Sequence, residues 1–164
     1  MTTNIEIKET KNKGNGVFAS RDFKKGELIL RIEGKIAETE NNPNLTGFSK
    51  EIQDHCFPFE KREKKRKYVL PKAPWKYLNH SCDPNAGIKN NVEIVAMKQI
   101  NKGEEITFDY AMNNIDNWKT KCSCGSKNCR KIISTFDALD TKTKKKYLPY
   151  VIDSIKKKYL SLRY

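Results

Sequence analysis

Apolar and polar positions alternate with a period of two over several short stretches of the chain. Residues 3–9, NIEIKET, read as one strand. GNGVFAS (14–20) is a Gly-X-Gly turn running into an apolar strand. DFKKGELILRIEG (22–34) places a Lys-Gly turn before a strand over 27–33. ENNPNLTGFSK (40–50) reads as a loop and IQDHCFPFE (52–60) as a short β segment. VEIVAMKQI (92–100) is a clear strand, NKGEE (101–105) a turn, and ITFDYAM (106–112) another short strand. Many brief β pieces joined by Gly and Asn turns predict a mainly β fold of small sheets. Toward the C-terminus the period changes. Leu148, Val151, Ile152, Ile155 and Tyr159 fall on one face of a helix, Lys156–Lys158 lie mostly off it, and Pro149 suits its first turn. That pattern predicts one amphipathic tail helix. No internal repeat is found.

Length and composition narrow the class. A chain of 164 residues that is 37% hydrophobic, with seven Tyr, seven Phe and two Trp, can bury a core. No apolar run approaches the ~20 residues needed to cross a bilayer, so no membrane partner is expected. The start, MTTNIEIKET, lacks the basic and apolar regions of a signal peptide. The expected location is intracellular, where thiols stay reduced.

The net charge of +13 is concentrated. Residues 61–76 carry +7 and residues 137–164 carry +5, so the other 120 residues are nearly neutral. KREKKRK (61–67) reads as a solvated loop, or as a contact to DNA, RNA or an acidic protein face, and it looks like a nuclear-import signal.

Five cysteines in a reducing compartment point to a metal or free thiols before disulfides. Cys122, Cys124 and Cys129 form C-x-C-x4-C in KCSCGSKNC. A closed structural zinc site takes four ligands, commonly thiolates. The fourth must come from Cys56 or Cys82. Cys56 sits between His55 and Phe57 in an expected strand, where a thiol behaves as a small apolar group. Cys82 sits in the polar turn YLNHSCDPNAG (77–87). The expected zinc ligands are therefore Cys82, Cys122, Cys124 and Cys129.

Four elements stand in order: KGNGVFAS, YLNHSCDPN, GEEITFDY and CSCGSKNC. Together they resemble a SET-domain protein lysine methyltransferase with its post-SET zinc segment. The resemblance covers about residues 3–133. It implies a SET domain over 1–117 with a variable insert at 40–72, a post-SET zinc segment at 118–133 and a C-terminal helical extension at 134–164. It implies small β-sheets with the Asn-His segment threaded as a pseudoknot, and S-adenosylmethionine as cofactor beside the zinc. Carried over, Lys13, Gly14, Asn15 and Gly16 would line that cofactor, and Asn79 and His80 would hydrogen-bond its two ends. Lys76 and Tyr77 fall where the family often has Arg-Phe near the cofactor carboxylate. Tyr110 corresponds to the catalytic tyrosine, which also touches the cofactor.

The chemistry implied is methyl transfer from a sulfonium to a neutral lysine amine in a dry aromatic channel, with no acid–base pair required. Where monomethylating members use tyrosine hydroxyls, this chain has Phe108 and, about there, Ile88, implying room for di- or trimethylated products. Where many members have a channel tyrosine, DHCFPFE offers His55, Phe57 or Phe59. The implied partner is a protein presenting a lysine, a histone or another basic or DNA-associated protein. Nucleic acid or a nucleosome-like surface would meet the basic runs. The location would be the nucleus on eukaryotic chromatin and the cytoplasm in a prokaryote. The competing expectation is a non-catalytic, zinc-containing SET-like module that binds nucleic acid or an acidic partner.

Overall fold

The structure, a computed structural model, describes residues 4–40, 57–61, 65–114 and 118–161. His55 and Cys56 lie outside the described residues, as does the centre of the basic run, 62–64.

The mainly β expectation holds. Strands β1 (Ile5–Glu9), β2 (Asn15–Ala19), β7 (Asn79–His80) and β10 (Glu105–Phe108) form one sheet in the order β1-β2-β10-β7. β3 (Leu28–Arg31), β9 (Glu93–Ala96) and β8 (Ala86–Lys89) form a second, in that order. β4 (Gly34–Glu40), β6 (Lys65–Pro71) and β5 (Phe57–Lys61) form a third. β11 (Thr120–Lys121) pairs antiparallel with β12 (Ile132–Ile133).

Half of the basic run is strand. Lys65 begins β6, and its ammonium lies 2.9 Å from the Glu38 carboxylate on β4. Residues 65–67 pair with 38–40 where a loop was expected. Phe57 and Phe59 occupy strand positions in β5.

Val17, Phe23, Ile88, Ile94, Ile100, Ile106 and Met112, all fully buried, form the core between the first two sheets and the tail.

β10 is the strand that assembles the molecule. Its first half runs antiparallel to β2, with Glu105 opposite Phe18 and Ile106 opposite Val17. Its second half runs parallel to β7, with Thr107 opposite Asn79 and Phe108 opposite His80. Asn85 completes the seam. Its amide donates to the Glu105 carbonyl at 2.8 Å and accepts the Thr107 N–H at 2.9 Å. Both partners are backbone groups that a strand would otherwise satisfy, and Asn85 is buried. Asn85→Ala strands a buried N–H and should cost ~1–3 kcal/mol. A thermal melt checks this.

The tail is helical, as expected, but broken. α1 (Thr141–Tyr147) is capped by Asp140, whose carboxylate accepts the Thr143 N–H at 3.0 Å. Leu148–Tyr150 is a 3-10 turn with Pro149 at its start, and Val151 is extended at φ −115°, ψ 163°. α2 (Asp153–Ser161) then begins. The break replaces a single stripe with two short helices, and Tyr147 and Ile155 of the helices enter the core together with Val151 and Ile152 of the break. The Ile152 N–H bonds the Met112 carbonyl at 3.2 Å. Among the described residues, no helix is long and apolar enough to cross a membrane.

Candidate active site

The loop between β1 and β2 is closed by Thr10. Its N–H and hydroxyl both donate to the Gly14 carbonyl, at 2.7 and 2.8 Å, and the Lys13 N–H donates to the Thr10 hydroxyl at 3.0 Å. Gly14 takes φ +67°, and a Cβ placed on it would meet nothing within 4 Å. Gly16 is the opposite case. A Cβ there would lie 2.8 Å from Thr10 Cγ2, 2.9 Å from Glu105 Oε1 and 3.1 Å from Asn79 Nδ2. A side chain at 16 would have to displace the ends of Thr10, Glu105 and Asn79, which glycine lets close over the strand.

Asn79 ties the turn to the strands. Its Nδ2 donates to the Asn15 carbonyl at 3.1 Å and to Glu105 Oε1 at 2.8 Å. Lys13 Nζ lies 3.4 Å from the other Glu105 oxygen. With Nδ2 engaged inward, the group Asn79 can offer a ligand is its acceptor oxygen.

Tyr110 follows directly from β10 and opens a 3-10 turn, Tyr110–Met112, capped by Asp109. Its hydroxyl donates to the Leu78 carbonyl at 2.9 Å. The rings of Phe108, His80 and Trp118 lie 5.0, 5.3 and 6.3 Å from the Tyr110 ring. Burial, helped by the negative charge of Glu105, pushes the Tyr110 hydroxyl up to about 12. It stays protonated at physiological pH and is a hydrogen-bond donor to Leu78.

Lys76 and Tyr77 lie in the 3-10 turn Trp75–Tyr77 just before Leu78, with Lys76 Nζ 5.0 Å from the Tyr77 ring centroid. Burial, with the positive charges of Arg130 and Lys13, lowers His80 to about 3, so the ring is neutral. Its Nδ1 accepts the Tyr110 N–H at 3.2 Å. The proton therefore sits on Nε2, which lies 3.3 Å from Cys82 Sγ and donates to it.

Four cysteines converge beside this ring. Cys82 and Cys122 sulfurs are 3.8 Å apart, and Cys122 and Cys129 sulfurs 3.7 Å. Tetrahedral metal–sulfur bonds of ~2.3 Å place ligand sulfurs about 3.8 Å apart. The Cys82 N–H points at Cys124 Sγ from 3.5 Å, and the Arg130 N–H at Cys82 Sγ from 3.4 Å. Such donors stabilise thiolates. Burial raises the Cys82 and Cys122 thiols. Cys124 is also pushed up by burial, but bonds from the Ser126 hydroxyl and the Cys82 and Ser126 N–H groups prevail and lower it to about 6. A ring nitrogen of His80 falls among the same donors, within 4.8 Å of the Cys82, Cys122 and Cys124 sulfurs. To ligate, it would need its proton on Nδ1, facing the Tyr110 N–H. The group that could hold one cation comprises His80, Cys82, Cys122 and Cys124, and Cys129 adjoins it through Cys122 at 3.7 Å; with its proton on Nε2, His80 is a hydrogen-bond donor to Cys82.

Gly14–Gly16, Asn79–His80 and Tyr110 meet along β10, and Cys82, Cys122, Cys124 and Cys129 gather next to them. Ile88 is fully buried on β8, paired with Ile94. Several participants escaped the sequence reading. Glu105 sits inside GEEITFDY and Arg130 follows Cys129, so motif adjacency was their only signal. Tyr147, whose hydroxyl donates to the Cys82 carbonyl at 3.3 Å, had none.

The SET domain family model matches residues 14–111. "Histone-lysine N-methyltransferase mes-4" of Caenorhabditis elegans is 32% identical over 148 residues, covering 76% of this chain and 16% of that protein. "Histone-lysine N-methyltransferase, H3 lysine-36 specific" of Saccharomyces cerevisiae is 30% identical over 144 residues, covering 76% and 18%. "Histone-lysine N-methyltransferase 2D" of Homo sapiens is 28% identical over 137 residues, covering 78% and 2%. The chain thus spans less than a fifth of the length of each. Among solved structures, the methyltransferase domain of human Histone-lysine N-methyltransferase SETMAR aligns with a TM-score of 0.59 at 18% identity, over 82% of this chain and 59% of that one. With the family model covering most of the described sheets and Tyr110 inside it, this chain belongs to the SET-domain family.

Proposed function

We propose that the protein is an S-adenosylmethionine-dependent protein-lysine N-methyltransferase, with a SET domain over 1–117, a zinc-bearing segment over 118–133 and a helical extension over 134–164. The observation that carries this reading is the convergence on β10. One strand sets the glycine turn, the Asn-His pair and a protonated tyrosine hydroxyl side by side.

Bound S-adenosylmethionine supplies an electrophilic methyl on sulfur. The turn at Lys13, Gly14 and Asn15 fits such a ligand, because the space beside Gly14 is open. Asn79 presents its free acceptor oxygen toward a ligand ammonium, and Lys76 and Tyr77 stand one turn away. Tyr110 supplies a fixed hydroxyl dipole, and Phe108 and Trp118 bound an apolar approach. An aromatic wall disfavours the lysine ammonium and eases its deprotonation before transfer. Catalysis on this account is mainly alignment. The four sulfurs would hold one zinc ion, a structural cation taking no part in transfer.

The substrate class supported by the relatives' names is a histone or similarly basic protein, and acting on chromatin would place the protein in the nucleus. Nucleic-acid contact through 61–67 and the lysines of α1 and α2 belongs to the same reading. Incubating the protein with labelled S-adenosylmethionine and a panel of histones and DNA-binding proteins tests it. Lysine-specific label supports the proposal, whereas full partner binding without transfer favours a binding module.

Phe108 has no hydroxyl to hold a water beside the amine, so the product is expected to be di- or trimethyl-lysine. Phe108→Tyr should shift the product toward monomethyl. Mass spectrometry at long reaction times reads the ratio, and a monomethyl plateau in the unaltered protein would end the idea.

A further inference from the structure

Asp109 is fully buried. A carboxylate removed from water is costly unless it is paired and hydrogen-bonded. Its partner comes from the cysteine segment. Arg130 Nη2 donates to Asp109 Oδ1 at 2.9 Å and lies 2.7 Å from Oδ2. The same Oδ1 accepts the Ala111 N–H at 3.0 Å, which caps the turn that Tyr110 opens. One carboxylate oxygen is therefore shared between the cysteine segment and the turn carrying the tyrosine.

A second line of contacts closes a ring. The Arg130 N–H donates to Cys82 Sγ at 3.4 Å, and His80 Nε2 lies 3.3 Å from that sulfur while its Nδ1 accepts the Tyr110 N–H. Tyr110 itself packs against the cluster of Cys82, Cys122 and Ile133. The residue after Arg130, Lys131, takes φ +64°, a left-handed conformation uncommon for a lysine, and its carbonyl accepts the Cys122 N–H at 2.8 Å. That turn holds Arg130 pointed inward while it closes the cysteine loop. Residues held this way are over-determined by their surroundings.

We propose that Arg130 is a positioning residue that transmits closure of the cysteine segment onto Cys82 to the catalytic turn, so that Tyr110 is held in its working place only when that segment is closed. The tie is specific in direction. Arg130 touches Asp109 and the Cys82 sulfur, and acts on Tyr110 only through them. The inference rests on the methyltransferase reading for its kinetic consequence, but the mechanical link is testable without turnover.

The test uses the full chain loaded with zinc, comparing the unaltered protein with Arg130→Met and Arg130→Lys. Both variants keep all four sulfurs, so metal content should remain at one equivalent. Arg130→Met should lower kcat by roughly ten- to a hundredfold, as a small misplacement of an aligning group does. The KM for S-adenosylmethionine should stay within about threefold, because the turn at 13–16 is untouched. Arg130→Lys, which keeps a charge for Asp109, should recover part of kcat.

Hydrogen–deuterium exchange of the peptide 106–114 gives the second readout. Its amides should exchange about tenfold faster in Arg130→Met, and equally fast in unaltered protein stripped by a chelator. The proposal is overturned if Arg130→Met exchanges and turns over like the unaltered protein. It is also overturned if stripping the metal leaves 106–114 protected. Should Arg130→Met fail to fold, the lysine variant and the stripping comparison still decide. Should the unaltered protein transfer no methyl at all, the functional reading fails while the exchange comparison still judges the link.

Discussion

Replacing Tyr110 with phenylalanine is expected to lower kcat by on the order of a hundredfold or more, with S-adenosylmethionine binding nearly unchanged. The hydroxyl is the only polar atom removed. It donates to the Leu78 carbonyl at 2.9 Å, so its orientation is fixed before any substrate arrives. Its ring packing against Phe108 and His80 survives in the variant. The ionisation sign matters to the test. With its proton held up to about 12, the hydroxyl stays neutral across pH 7–10. A rise in rate with pH over that range must then come from the substrate amine, whose free value is ~10.4. Tyr110→Phe should therefore lower the whole pH–rate curve without changing its shape. Calorimetric titration of the cofactor separates lost binding from lost alignment. A variant that keeps its rate, or a curve whose rise vanishes with the hydroxyl, would remove Tyr110 from the role assigned to it.

Cys122→Ser should have the larger structural effect. Cys122 is the hub of the sulfur cluster, 3.8 Å from Cys82 and 3.7 Å from Cys129. Structural zinc in such sites contributes apparent binding free energies of ~10 kcal/mol, and that energy is also folding energy. Losing one ligand should drop the metal content well below one equivalent and free residues 118–133. Methyl transfer should fall to background. The main sheets should persist, because their core of Val17, Ile94, Ile106 and Met112 is independent of the sulfurs. Metal analysis, with a thermal melt recorded with and without chelator, measures both halves. One equivalent of zinc retained by Cys122→Ser, or a melt indifferent to the chelator, would contradict the proposed four-sulfur site.

Much of this was legible in the sequence because the signals were local. A Gly-Asn-Gly turn, an Asn-His-Ser-Cys turn and a C-x-C-x4-C run each declare chemistry within a few residues. What stayed hidden depends on pairing across the chain. Nothing in ITFDY announces that its strand will divide itself between an antiparallel and a parallel partner. Asp109 looks like any acidic residue at a strand end, since its burial is decided by an arginine 21 positions later. The tail misled for a related reason. Its apolar spacing fits a helix, but Val151 and Ile152 enter the core through an extended break, and tertiary packing outweighed helical propensity there. The basic run misled through its composition, because its partner strand β4, where Glu38 meets Lys65, lies some thirty residues upstream.

The divided allegiance of β10 has a consequence for how such a chain can vary. Inserting or deleting a single amino acid between Glu105 and Phe108 would turn every following side chain to the opposite face. Two neighbours would be mispaired at once, and Tyr110 would swing out of place with them. Insertions in connections outside the paired strands carry no such register penalty. Descendants of this sequence should therefore differ freely in loop length while those four positions keep a constant count.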